Sequence, residues 1–220
     1  VNSNTKDAID QVARDSLKRD VVHHYESQLR QHGPTARGMN WKDEASQTLR
    51  FRILCEIRDL NGLSLHEVGA GAGHLYDYLR TENIDADYSG SDLSEDMVQA
   101  AKLRHPHVCF DRRDILVDPD LPEYDVLVCS GLFFVRLHHT DGDWQDFIYA
   151  TIRRMYDLCR IGIAFNLMTD QVDFRADNLY YSDPGQTLNF CRRELSRSVV
   201  VRHDYPLYEY TTYVYRNSSH

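Results

Sequence analysis

Glycines stand at positions 69, 71 and 73, and an acid, Glu67, lies two residues before the first of them. Glycine tolerates positive φ and puts no Cβ between the backbone and a ligand. Leu63, Leu65 and Val68 supply the apolar positions of a strand leading into this turn. A helix beginning near His74 would point its free N–H groups and positive dipole end into it. Such a turn accepts the polar tail of an adenosine-containing cofactor. A dinucleotide fingerprint, G-x-G-x-x-G, would need its third glycine where His74 stands, and Glu67 would repel a pyrophosphate but attract an ammonium. A structural turn in another α/β protein is the alternative. Tyr88 to Asp92 reads as a second strand ending in an acid, at the distance from the turn expected for a carboxylate that accepts both ribose hydroxyls. The other reading of Asp92 is a solvated turn residue. Ser94 follows as a helix cap.

The E-x-G-x-G-x-G of residues 67–73 and the G-x-D-x-S-x-x-M from Gly90 to Met97 resemble class I S-adenosylmethionine-dependent methyltransferases. The resemblance implies that Glu67, Gly69, Ala70, Gly71 and Gly73 hold the amino-acid end of S-adenosylmethionine. It assigns Asp92 to the ribose, and Leu93 and Met97 to the ribose or adenine. Asp114 would accept from the exocyclic amine, with Ile115 along the ring; an ordinary turn is the other reading. Ser130 and Gly131, which close the apolar run from Tyr124, would leave room for the sulfonium. Gly38…Trp41…Gln47…Arg50-Phe51 and Asn166…Leu179-Tyr180-Tyr181…Asp183-Pro184 resemble a bacterial small-molecule branch of this superfamily. There Arg50 would pair with the cofactor carboxylate, as a guanidinium suits that bidentate contact. Trp41 would wall a substrate pocket, with Tyr25, Phe134, Asn166, Tyr180 and Tyr181 as further substrate-side candidates. An arginine on a solvated helix face and a tryptophan in the core are the plain alternatives.

Methyl transfer needs a base only when the acceptor is a hydroxyl or an ammonium. His24, His138 and Tyr180 are the candidates. The segment from His138 to Asp143 holds two histidines and two aspartates. Adjacent histidines are expected to point different ways, and neither an i, i+4 pair nor paired cysteines support them, so the segment reads as a polar loop with no metal. Ser130 lacks a surrounding G-x-S-x-G, which excludes that type of hydrolase nucleophile.

These residues require an α/β scaffold. The 220 residues are enough for one domain with a full core, and 42 % are apolar. A net charge of −9 argues against nucleic acid or an anionic membrane as the main partner. Five scattered cysteines read as reduced core residues, and the polar start shows no signal peptide, so a cytoplasmic location is expected. The longest apolar run, from about Val126 to Val135, is too short for a bilayer. The spacing predicts one or two amphipathic helices over residues 1 to about 32, a loop at 33–41 and a helix from about Asp43 to Asp59. Short strands follow at Val108–Phe110 and Ile161–Asn166, and Trp144 to Leu158 repeats at helical spacing. Ser198–His203 and Tyr208–Tyr215 read as an antiparallel pair. The expected organisation is a helical lid (1–60), a cofactor-binding core (61–166), a substrate-side insertion (167–197) and a terminal strand pair (198–216). The family implies a Rossmann-like, mostly parallel seven-stranded sheet in the order 3-2-1-4-5-7-6.

The expected reaction is methyl transfer to an oxygen or nitrogen of a small polar molecule. Transfer of the 3-amino-3-carboxypropyl group from the same cofactor, an NAD-dependent oxidoreductase and a non-catalytic binding module are the alternatives. The oligomeric state is not legible.

Overall fold

The computed structural model describes residues 3–216, with side chains from residue 14 onward. Seven strands form one sheet: β1 (Ser64–Val68), β2 (Asp87–Asp92), β3 (Cys109–Arg112), β4 (Tyr124–Cys129), β5 (Cys159–Met168), β6 (Val199–Arg202) and β7 (Glu209–Tyr215). Their order is β3-β2-β1-β4-β5-β7-β6. The first five pair in parallel, and β7 runs antiparallel between β5 and β6. This is the expected Rossmann-like sheet.

Alternation along each central strand divides the core. Leu127 and Cys129 of β4, with Ile163 and Phe165 of β5, face one apolar layer; Val126, Val128 and Ala164 face the other. Burial on both faces explains why β4 reads as a continuous apolar run. The first layer is completed by α1 (Ser3–His32), α5 (Asp141–Leu158) and α6 (Pro184–Glu194). The second is completed by α2 (Glu44–Cys55), α3 (His74–Thr81) and α4 (Glu95–Arg104). Asp43, Ser94, Thr140 and Asp183 cap α2, α4, α5 and α6 through side-chain oxygens.

Some expectations shift. Helix α2 ends at Cys55, and residues to Asp59 turn toward β1. The segment before Gly33 is one helix, although the side chains of Ile9 and Val12 lie outside the described ones. The insertion contains α6, which begins with proline at a first-turn position where no backbone N–H is needed. The five cysteines are free, but Cys109 is exposed rather than in the core. Among the described residues no helix is long and apolar enough to cross a membrane.

Helix α1 lies along the carboxyl edge of the parallel strands, tied down by polar contacts. Lys18 Nζ reaches Asp114 Oδ2 at 2.5 Å, Ser94 Oγ donates to Glu26 Oε1 at 3.0 Å, and Asp20 meets the loop before α5.

Candidate active site

The chain leaves β1 and β4 toward opposite faces of the sheet, which opens a crevice at their carboxyl ends. Its floor is the glycine turn. Gly69, Gly71 and Gly73 have φ of 73°, 53° and 79°, a region that disfavours side chains. Gly69 and Ala70 donate to Ser91 O at 2.8 and 3.0 Å, and Gly71 N donates to Asp92 Oδ2 at 2.9 Å. The turn is therefore locked to the end of β2. Gly131, also left-handed at 69°, forms the floor beyond β4.

The roof comes from residues 33–41 and from α1. A Cβ on Gly71 would lie 2.7 Å from Met39 Sδ, and one on Gly131 only 2.2 Å from the Trp41 ring. Tyr25, Val21 and Val22 of α1 also line the crevice.

Two carboxylates face this space. Glu67 is 2 % exposed, and Tyr88 donates to its Oε2 at 2.5 Å. Burial pushes its pKa up to about 8, against the Tyr88 hydrogen bond and with help from the Asp92 charge. Asp92 is also raised by burial, partly offset by hydrogen bonds from Ser94 and Gly71; its two oxygens each accept one backbone N–H at 2.9 Å. Further lone pairs on each remain available to a ligand. Asp114 lines the crevice too, but Lys18 takes one of its oxygens and Leu116 N the other at 3.0 Å. Ser130 Oγ is buried at the crevice wall with no protein partner.

The remaining expected residues divide. Leu93, Met97, Ile115, Ser130, Gly131, Tyr25 and Trp41 line the crevice. Gly73 sits behind the floor as the N-cap of α3. Arg50, Phe134, Asn166, Tyr180, Tyr181, His24 and His138 are not in its lining. Arg50 instead forms a buried ion pair with Glu209: Nε lies 2.8 and 3.0 Å from the two carboxylate oxygens, and Nη2 also bonds Oε1. Its guanidinium lies 4.3 Å from the Trp41 ring centroid. Asn166 links the same carboxylate (3.1 Å) to Gly131 N (2.8 Å), and Phe134 meets Trp41 edge-on at 5.8 Å. These residues support the crevice from outside. Tyr180 is buried beside Gln145, while Tyr181 receives Ala176 N at 2.9 Å. His24 is held below the ordinary histidine range by burial, and its Nε2 has no protein partner. His138 is exposed next to Asp20.

Sequence reasoning missed Met39, Gln47, His74 and Thr151 in the lining. Gln47 carried a usable signal, being a polar residue beside the apolar stripe of α2. Nothing local marks Thr151, whose hydroxyl is spent on Phe147 O.

Residues 66–162 match the methyltransferase domain family. A Mycobacterium tuberculosis protein, Rv1506c, provisionally described as a methyltransferase, is 38 % identical over 163 residues, covering 70 % of this chain and 94 % of its own. Magnesium protoporphyrin IX methyltransferase from Synechocystis, solved with S-adenosylmethionine, superposes with a TM-score of 0.57 at 16 % identity over 79 % of each chain. The N-methyltransferase NodS from Bradyrhizobium japonicum gives 0.58 at 14 % identity, over 80 % of this chain and 99 % of its own. The likeness to these two is one of fold. The chain belongs to the class I S-adenosylmethionine-dependent methyltransferases.

Proposed function

We propose that the chain transfers a methyl group from S-adenosylmethionine to an oxygen or nitrogen of a small polar molecule held under the roof formed by α1 and residues 33–41. The observation carrying this reading is the polarity of the crevice: two underused carboxylates and an orphaned Ser130 hydroxyl around a glycine floor, under an apolar and aromatic roof. That donor set fits the cofactor. Glu67 faces its ammonium, the turn backbone its amino-acid end and Asp92 its ribose. Ile115 and Met97 flank its base, with Asp114 at the rim. Arg50 is not assigned to its carboxylate, because Glu209 holds the guanidinium.

When bound, the cofactor supplies a methyl carbon on a sulfonium, open to in-line attack. The protein's work is alignment, which supplies on the order of 7–11 kcal/mol. Gly131 permits close approach, and Trp41 and Tyr25 exclude water above it. Burial raises the Tyr25 phenol well above its ordinary value, so it stays protonated and orients an acceptor as a donor. None of the three candidate bases lines the crevice; the imidazole in its lining is His74, which burial holds low, at about 4, and so neutral.

Thermal shift with S-adenosylmethionine, S-adenosylhomocysteine and NAD tests the site: a ligand at about 100 times its dissociation constant adds about 2.7 kcal/mol. The first two should stabilise and NAD should not. An acceptor screen read by mass spectrometry should then yield S-adenosylhomocysteine. Methylthioadenosine as the by-product would mean aminocarboxypropyl transfer instead. Saturable methylation of RNA or protein in a lysate, with none of small molecules, would overturn the substrate class.

A further inference from the structure

Asp20 on α1 and the adjacent His138 and His139, before α5, bring three metal-ligating atoms together away from the crevice. Asp20 Oδ2 lies 3.0 Å from His139 Nε2 and 3.6 Å from His138 Nε2, and the three atoms are within 4.8 Å of one another. Neighbouring side chains normally diverge. Here Leu137 adopts φ of +57°, rare and costly for a residue with a Cβ. Directly after it the two imidazoles stack, with centroids 4.4 Å apart and planes 29° apart. The loop is braced around them: Leu137 N donates to Asn178 O at 3.0 Å, His139 N to Arg136 O at 3.1 Å, and Arg136 Nη1 to His139 O at 2.6 Å. Asp141 engages Arg136 Nε at 3.0 Å, which draws that cation to its own partner.

We propose that Asp20, His138 and His139 form a binding site for a divalent transition-metal ion, zinc in the first instance. Two imidazoles and one carboxylate suit zinc, nickel or copper better than magnesium or calcium. Ligand atoms around a tetrahedral zinc stand about 3.3 Å apart at bond lengths near 2.0–2.1 Å. His139 and Asp20 are already near that separation, and His138, 76 % exposed, is free to swing in. Water completes the coordination. The ion would clip α1 to the loop before α5, one and two residues from Val21 and Val22, which line the crevice. Its role is to fix the roof rather than to act on the substrate, and the site stands independently of the assigned reaction.

The test is titration of the metal-stripped full-length chain with zinc alone, in competition with a chromogenic chelator. One zinc per chain is expected. Asp20→Asn and His139→Ala should each weaken binding at least tenfold, and Cys109→Ser should leave it unchanged. His138→Ala, a change at an exposed position, keeps the test valid if the other variants fold poorly, and should also weaken binding. Absence of saturable binding, or equal affinity in wild type and all three site variants, would overturn the proposal.

Discussion

Glu67 is the residue whose chemistry departs furthest from its sequence appearance. A carboxylate beside a glycine turn looks like a ready anion. In the fold it is sealed under Tyr88 with a pKa near 8. Between pH 4.5 and 8 the folded chain therefore holds a proton there that the unfolded chain has lost. Stability falls as pH rises through this window, by on the order of 3–5 kcal/mol, and levels off above it. Glu67→Gln should abolish that loss, seen as a gap in urea midpoints between variant and wild type that widens from pH 5 to pH 8. A cationic cofactor reverses the preference, so its affinity should rise with pH toward 8 in wild type and stay flat in Glu67→Gln. Parallel pH profiles for the two proteins would remove Glu67 from the cofactor site. Asp92→Asn should weaken S-adenosylmethionine binding by about 1.5–3 kcal/mol in calorimetry, the range for a hydrogen bond to a charged group. The acids near the turn were readable from sequence because strand, turn and cap signals agree over a short span.

At the scale of elements, the roof is fastened by a closed circuit: Trp41 over Gly131, Gly131 to Asn166, Asn166 to Glu209, Glu209 to Arg50, and Arg50 back over Trp41. It joins α2, β5, β7 and two loops. Arg50→Met leaves Glu209 buried without its cation, at a cost of about 3–5 kcal/mol. Adding Glu209→Gln should recover part of that cost, because no charge is then stranded; chemical denaturation of both variants measures the difference. Bound cofactor should also change Trp41 emission, because the ring covers the glycine floor, and Trp41→Phe should erase the change. None of this circuit was legible. Arg50 and Glu209 are 159 residues apart, and a cation on a helix reads equally well as a ligand for a substrate or for the protein. The same limit hid the meeting of His138 and His139 with Asp20. The two histidines follow a left-handed leucine, which no local pattern announces.

For the whole molecule, the succession of strands and helices was readable because two-faced burial, turn glycines and helix caps recur in a regular βα rhythm, whereas the strand order came from the family resemblance. Strand ends, and α6 within the insertion, were not readable, since tertiary packing sets them. One sheet serves both apolar layers: Phe165 faces one and Ala164 the other. Neither layer persists without the strands of its neighbour. Unfolding should therefore be a single transition, with far-ultraviolet dichroism and tryptophan emission coinciding across a urea titration. Trp144 reports the first layer and Trp41 the site, so two separate midpoints would show that the lid and the core unfold apart.

Glu209 belongs to the last strand of the sheet, whereas the crevice floor ends at Gly131. During synthesis, the glycine turn and both acids leave the ribosome well before the carboxylate that neutralises Arg50. A nascent or clipped chain lacking β7 would carry a stranded guanidinium and an open β5 edge. The Trp41 corner of the roof can be fastened only after β7 has docked, so a working crevice doubles as a certificate that this strand has been made and placed.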